Sequence, residues 1–217
     1  MPRSSLIRYT CECGQAFTSP VYQTVNVTLE PHLLYQTLAG LLNVAVCPNC
    51  GRKTAAALPF VYHDITRSLF AYVHPDSDAS ETSRERLLSR LREVYDEAVA
   101  ESDRILDQRR SSPRTPRDGL AARMEPDAPP MQVIFGIENL IALVDSLLEP
   151  EERLGRAALS AKEVDGASRE RILALAQALA NRLDLQIETE GAGRDITVWL
   201  YGPRRRVDLL RHQIADS

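Results

Sequence analysis

The chain has 217 residues, 44% of them hydrophobic and 26% charged, with a formal net charge of −4. These are ordinary values for a globular chain long enough for one large domain or two small ones. The negative balance argues against general affinity for nucleic acid or an acidic membrane surface, and no apolar run approaches the roughly 20 residues of a membrane-spanning helix.

The first residues, Met1 to Arg8, carry charge but no apolar stretch of the secretory kind, so a cytoplasmic location is the expectation. In that reducing compartment close thiols are metal ligands more often than disulfides.

Residues 6–75 read as a small β-rich unit. Val21 to Val27 alternates β-branched and polar residues at period two, a strand pattern. Pro31 opens a short helix from His32 to Ala39, closed by Gly40. Leu42 to Val46 and Lys53 to Leu58 are expected to flank a cysteine turn as a hairpin. Val61 to Ile65 and Leu69 to Val73 follow as strands around the turn Thr66-Arg67-Ser68.

A long amphipathic helix is expected over 81–109, with Leu87, Leu91, Val94, Ala98 and Ile105 recurring at three and four residues. Its apolar stripe would pack within the chain or pair two copies as a homodimer. The five prolines between Ser111 and Pro130 mark a linker.

Residues 131–216 form a second, largely helical region. Met131 to Phe135 suits a short strand and Ile137 to Leu148 a helix. Pro150 with Glu151 and Glu152 has the signature of another helix start, and Ser168 that of an N-cap for a helix to Leu183. Leu185–Thr189 and Ile196–Tyr201 should pair as a hairpin around Gly191-Ala192-Gly193, with Trp199 on the inner face, before Pro203 opens a last helix. The expected fold class is therefore α+β.

All four cysteines lie in two clusters, Cys11-Glu12-Cys13-Gly14 and Cys47-Pro48-Asn49-Cys50-Gly51. Two chelating pairs suit one tetrahedral metal ion, and thiolate ligands point to structural Zn2+, one per chain, with no open coordination position. Gly14 and Gly51 follow the second thiol of each pair, where the chain must bend back so that amides face sulfur. Redox-active thiols are the alternative reading of the same four residues.

These motifs, together with Val25-Asn26-Val27-Thr28-Leu29, Pro31, Leu41-Leu42-Asn43-Val44 and Val61-Tyr62-His63-Asp64, fall in the order seen in CpXC-domain proteins. The chain resembles that bacterial and archaeal family well over residues 9–75, and Val133-Ile134-Phe135-Gly136 before a helix is similar to a later segment of it. The resemblance implies a metal-binding, zinc-ribbon-like domain named for two Cys-Pro-x-Cys motifs, and it lends no catalytic residues. Cys11-Glu12-Cys13 departs from the motif by lacking the proline and one residue.

Other constellations are weaker. His63-Asp64 is an acid–base pair only if a nucleophile stands nearby, and neighbours on a strand face opposite ways. His32, beside Pro31, is a solvated helix-start histidine. Gly191-Ala192-Gly193 lacks the following helix that a phosphate loop needs. Arg204, Arg205 and Arg206, close to Trp199 and Tyr201, are a candidate contact for single-stranded nucleic acid. The expected function is a non-enzymatic, zinc-stabilised module for interaction with a protein partner or for assembly. The alternatives are a nucleic-acid accessory protein and a thiol-redox or hydrolytic enzyme.

Overall fold

Residues 3–93, 131–190 and 195–215 are described by the computed structural model, with side chains described as far as residue 212. The elements in chain order are β1 (Arg3–Thr10), β2 (Ala16–Asn26), α1 (His32–Leu38), β3 (Val44–Val46), β4 (Lys53–Ala55), β5 (Phe60–Asp64) and β6 (Leu69–His74). A helix α2 begins at residue 81 and is described to 93. Then come β7 (Gln132–Phe135), α3 (Ile137–Ser146), β8 (Leu154–Ala161), α4 (Gly166–Leu183), β9 (Gln186–Glu190), β10 (Ile196–Pro203) and α5 (Arg204–Ala215). The mixed α+β class matches expectation. The residues expected to continue the long helix to 109, the expected linker and Gly191-Ala192-Gly193 lie outside the described residues.

A five-stranded sheet in the order β1-β2-β5-β6-β7 carries the first core. β2 and β5 pair in parallel, as do β6 and β7, while β1/β2 and β5/β6 are antiparallel. Strands β5 and β6 alternate buried and half-buried positions, so Phe60, Tyr62 and Asp64 share one face with Leu69, Ala71 and Val73. Helices α1 and α3 cover that face through Leu33, Leu34, Leu38, Leu140 and Val144. Each such side chain, taken fully from water, contributes about 1.5–3 kcal/mol.

Strand β7 is where the structure departs from a simple two-part division of the chain. Sequence position groups Met131 to Phe135 with the C-terminal region, yet Ala71 to His74 pair with Gln132 to Phe135 in the first sheet. Parallel pairing across so long a separation leaves no local trace, because its register is set by the partner strand.

The C-terminal region holds more strand than expected. Pro150, Glu151 and Glu152 do not start a helix. They form a turn in which the Glu149 carbonyl accepts from the amides of Glu152 (2.9 Å) and Arg153 (3.2 Å). The chain then enters β8, which pairs antiparallel with β10 along its whole length. The expected β9/β10 hairpin pairing is present, so the sheet order is β8-β10-β9. Helices α4 and α5 cover one face of it through Ala176, Ala180, Val207 and Leu210, against Ile196, Val198 and Leu200. Trp199 is on the other face, half-buried, with Nε1–H donating to Glu190 Oε2 at 2.9 Å. The expectation of an inner-face tryptophan misses by one step of the strand alternation.

Polar contacts join the two cores. The Tyr35 hydroxyl donates to the Glu152 carbonyl (3.1 Å), Gln186 Nε2 to the His32 carbonyl (2.6 Å) and Arg156 Nη2 to the Ala39 carbonyl (2.7 Å). Arg67 bridges Asp64 (2.8 Å) and Glu152 (3.0 Å), and Lys53 Nζ meets Glu190 (2.7 Å) and Glu188.

Candidate metal centre

Both cysteine pairs sit in hairpin turns. Cys11 and Cys13 occupy the turn between β1 and β2, where Thr10 pairs with Ala16. Cys47 and Cys50 occupy the turn between β3 and β4, where Val46 pairs with Lys53. Each turn closes with the same pair of backbone bonds. In the first, Cys11 N–H donates to the Gln15 carbonyl and Gly14 N–H to the Cys11 carbonyl, both at 2.9 Å. In the second, Cys47 N–H donates to the Arg52 carbonyl and Gly51 N–H to the Cys47 carbonyl, again at 2.9 Å. Gly14 (φ 86°) and Gly51 (φ 70°) take the left-handed conformation that this bend requires and that a side chain would strain. The missing residue of Cys11-Glu12-Cys13 therefore leaves the bend itself intact.

Folding brings the two turns together. The four Sγ atoms lie within 4.8 Å of one another, with Cys11 to Cys50 at 3.5 Å and Cys13 to Cys47 at 3.6 Å. A tetrahedral ion with metal–sulfur bonds of about 2.3 Å needs sulfur–sulfur edges of about 3.8 Å, so the cage is of the right size. Cys11 and Cys47 are buried while Cys13 and Cys50 are exposed, placing the site at the surface with one thiol of each pair facing inward.

The electrostatics also suit a cation. The Gln15 amide and then the Asn49 side-chain amide hold the Cys13 thiol down to about 6. The Cys13 amide favours the Cys11 thiolate, but burial and the thiols of Cys50, Cys13 and Cys47 outweigh it and push Cys11 up to about 12. Neighbouring thiolates repel one another, and a cation bound among four sulfurs offsets that repulsion.

Three supporting residues gave no signal in the sequence. Asn49 Nδ2 donates to Cys13 Sγ at 3.6 Å, crossing from one turn to the other. Arg52 pairs with Glu12, again across the two turns. Asn43, in the left-handed region at φ 56°, anchors the root of the β3–β4 hairpin. Its Oδ1 accepts from Tyr22 N–H (2.7 Å), its Nδ2 donates to the Tyr22 carbonyl (3.0 Å), and its own carbonyl accepts from Ala56 N–H (2.8 Å).

A family model described as CpXC protein matches residues 9–142. The chain belongs to the CpXC family. The match runs from the first cysteine turn through β7 into α3, so it spans the whole five-stranded sheet except the start of β1. It includes Gly136 (φ 85°), where a Cβ would lie 2.8 Å from Ser77 Cβ. No curated protein matches the chain, and no solved structure does.

The remaining sequence candidates stand apart from the CpXC cysteine site. His63 and Asp64 face opposite sides of β5. His63 packs edge-on against Phe70 (5.5 Å) with Nδ1 3.4 Å from Asn26 Nδ2, whereas Asp64 is buried on Arg67. They form no dyad. His32 lies 3.8 Å from Glu30 and does not join the sulfur cluster. The three arginines diverge: Arg206 is committed to Asp184, while the backbone amides of Arg204 and Arg205 bond the carbonyls of Arg153 (2.8 Å) and Glu151 (3.1 Å). Asp165, not Ser168, caps α4, with Oδ1 accepting from Ser168 N–H at 2.6 Å.

Proposed function

We propose that Cys11, Cys13, Cys47 and Cys50 hold one structural zinc ion in a zinc-ribbon-like arrangement, and that the protein is a non-enzymatic module for protein interaction or assembly. The observation that carries this is the close set of four sulfurs supplied by two separate hairpin turns. The β3–β4 hairpin has little apolar core of its own. Strand β4 is exposed along its length and Val46 is 47% exposed, leaving Ala45 and Cys47 as its buried contributions. A metal cross-link replaces the core that this hairpin lacks.

An ion with four protein thiolates has no position for water or substrate, so its role is structural. The interaction half of the proposal draws support from Leu29 (61% exposed) and Ile65 (59% exposed). They are held near each other by the bond from Ile65 N–H to Thr28 Oγ1 (3.1 Å).

Metal analysis of protein purified without added metal or chelator tests the first half. One zinc per chain is expected, and Cys50→Ser should lose the ion together with much of the thermal stability of the N-terminal unit. Little metal with four titratable thiols, iron with visible absorption, or a Cys50→Ser protein of native metal content and melting point would each overturn the zinc proposal. For the second half, a partner bound by the wild type should be lost on joint Leu29→Asp and Ile65→Asp substitution at unchanged zinc content. Undiminished binding would remove that surface.

A further inference from the structure

Strand β1 forms one edge of the five-stranded sheet, with β2 as its neighbour in the ladder. Its residues Ser4, Leu6, Arg8 and Thr10 stand opposite Tyr22, Pro20, Thr18 and Ala16. In an antiparallel ladder, opposed residues alternate between pairs that exchange both backbone bonds and pairs that exchange none. Two observations fix the phase of that alternation. Pro20 has no N–H to give, and the N–H and carbonyl of Tyr22 are taken by the Asn43 side chain at 2.7 and 3.0 Å. These four pairs are therefore the unbonded ones, and Ser4, Leu6, Arg8 and Thr10 turn their N–H and carbonyl groups outward from the sheet. All four residues are exposed, and among the described residues no hydrogen bond reaches those backbone groups.

An open edge of this length is a template for pairing, and chains that keep such an edge single blunt it with proline, lysine or a covering element. Arg3 to Thr10 contain neither proline nor lysine, and Leu6, in the middle, is 73% exposed. The opposite edge differs. Strand β7 has four residues, and the Arg84 guanidinium of α2 lies 4.9 Å over the ring of its Phe135.

We propose that β1 pairs antiparallel with β1 of a second copy of this chain, about a two-fold axis at Ile7, so that one continuous sheet crosses a homodimer. The strand is self-complementary in that register. Ser4 of one copy faces Thr10 of the other and Leu6 faces Arg8, so every outward backbone group from Ser4 to Thr10 gains a partner. Moving the axis to Leu6 carries Thr10 beyond the start of the strand at Arg3. Moving it to Arg8 sets two like charges directly opposite each other. With the axis at Ile7, the two Ile7 side chains meet on the half-buried face as an unbonded pair, the kind that approaches most closely. On the other face the aliphatic stem of Arg8 covers Leu6. The interface uses neither the cysteine site nor the Leu29–Ile65 surface, so it stands or falls apart from the proposed function.

Sedimentation equilibrium of the full chain over a range of concentrations tests this, and a reversible dimer is expected. Leu6→Lys sets a lysine opposite Arg8, and the pair occurs twice in the interface. The dissociation constant should therefore rise about tenfold or more, at unchanged circular dichroism and metal content. The fold of the single chain does not depend on that side chain, which is largely in solvent. Adding Arg8→Glu to Leu6→Lys should restore the dimer, because opposite charges then face each other in this register. Three results would each overturn the proposal. One is a monomeric wild type, which would leave the edge to a strand of another protein. Another is a Leu6→Lys dimer as tight as the wild type, as a dimer built on the long helix would be. The third is a loss in Leu6→Lys that Arg8→Glu fails to restore.

Discussion

Asn43 holds the β3–β4 hairpin to the sheet with side-chain bonds that no apolar residue there could make. Its amide satisfies both the N–H and the carbonyl of Tyr22, on a residue held in the left-handed region. Replacement by alanine leaves two backbone groups of Tyr22 unpaired and keeps the strained φ, which should cost about 2–3 kcal/mol. Asn43→Gly loses the same bonds but not the conformational freedom, so it should be about 1 kcal/mol milder than alanine. Urea midpoints of the two variants check this, and equal losses would show that the backbone carries no strain. The contrast with the cysteines explains what was legible. Ligand type and spacing announce Cys11, Cys13, Cys47 and Cys50 within a few residues of sequence. The role of Asn43 is written in a contact 21 residues away. Asn49 and Arg52 were hidden for the same reason, since each acts across to the other turn.

Among the elements, α4 shows how two equally good local signals compete. Asp165 and Ser168 are both cap formers, and Asp165 takes the N-cap with an extended backbone (φ −74°, ψ 170°) while Ser168 N–H donates to it. That bond favours the carboxylate and lowers the Asp165 pKa below its ordinary value of 3.8. A depressed folded-state pKa contributes stability that is present above the unfolded value and is lost as pH falls through the folded one. Asp165→Ala should therefore melt lower than the wild type at pH 7, with the gap closing in acid below about pH 4. Asp165→Asn should melt between the two at pH 7, because its amide oxygen still caps but carries no charge, and its melting point should not follow the same acid loss. An Ala gap that stays constant from neutral to acidic pH would rule out the carboxylate cap. Strand β8 failed to announce itself for a different reason. Leu154 to Ala161 alternates only weakly, and the preceding Pro-Glu-Glu imitates a helix start; its strand identity comes from pairing with β10 some forty residues on. Helix α3 and the β9/β10 pairing, whose periodicity is strong and local, were plain from sequence.

At the scale of the molecule, two apolar cores meet through polar groups, and the cysteine hairpin takes part in that meeting. Lys53, three residues beyond Cys50, binds Glu188 and Glu190 of β9, and Glu190 in turn accepts from the indole of Trp199. Trp199 is the sole tryptophan and reports on the second sheet from its half-buried face. Among the described residues the buried side chains of the two cores form separate clusters, with Leu154 at the start of β8 packed against the first, and exposed or half-exposed ion pairs of this kind contribute only about 0–1 kcal/mol each. Loss of the metal should therefore loosen the hairpins without melting the second core. After removal of the ion with a thiol-specific mercurial and a chelator, amide exchange should speed at the tips of β1–β2 and β3–β4, while α4 and β10 keep their protection. Trp199 emission should shift modestly as Lys53 leaves Glu190, and Lys53→Ala should reproduce that shift at unchanged metal content. Exchange in α4 and β10 that rises in step with the hairpins would mean that the two cores unfold as one cooperative unit, and that the polar contacts between them carry far more energy than their chemistry implies.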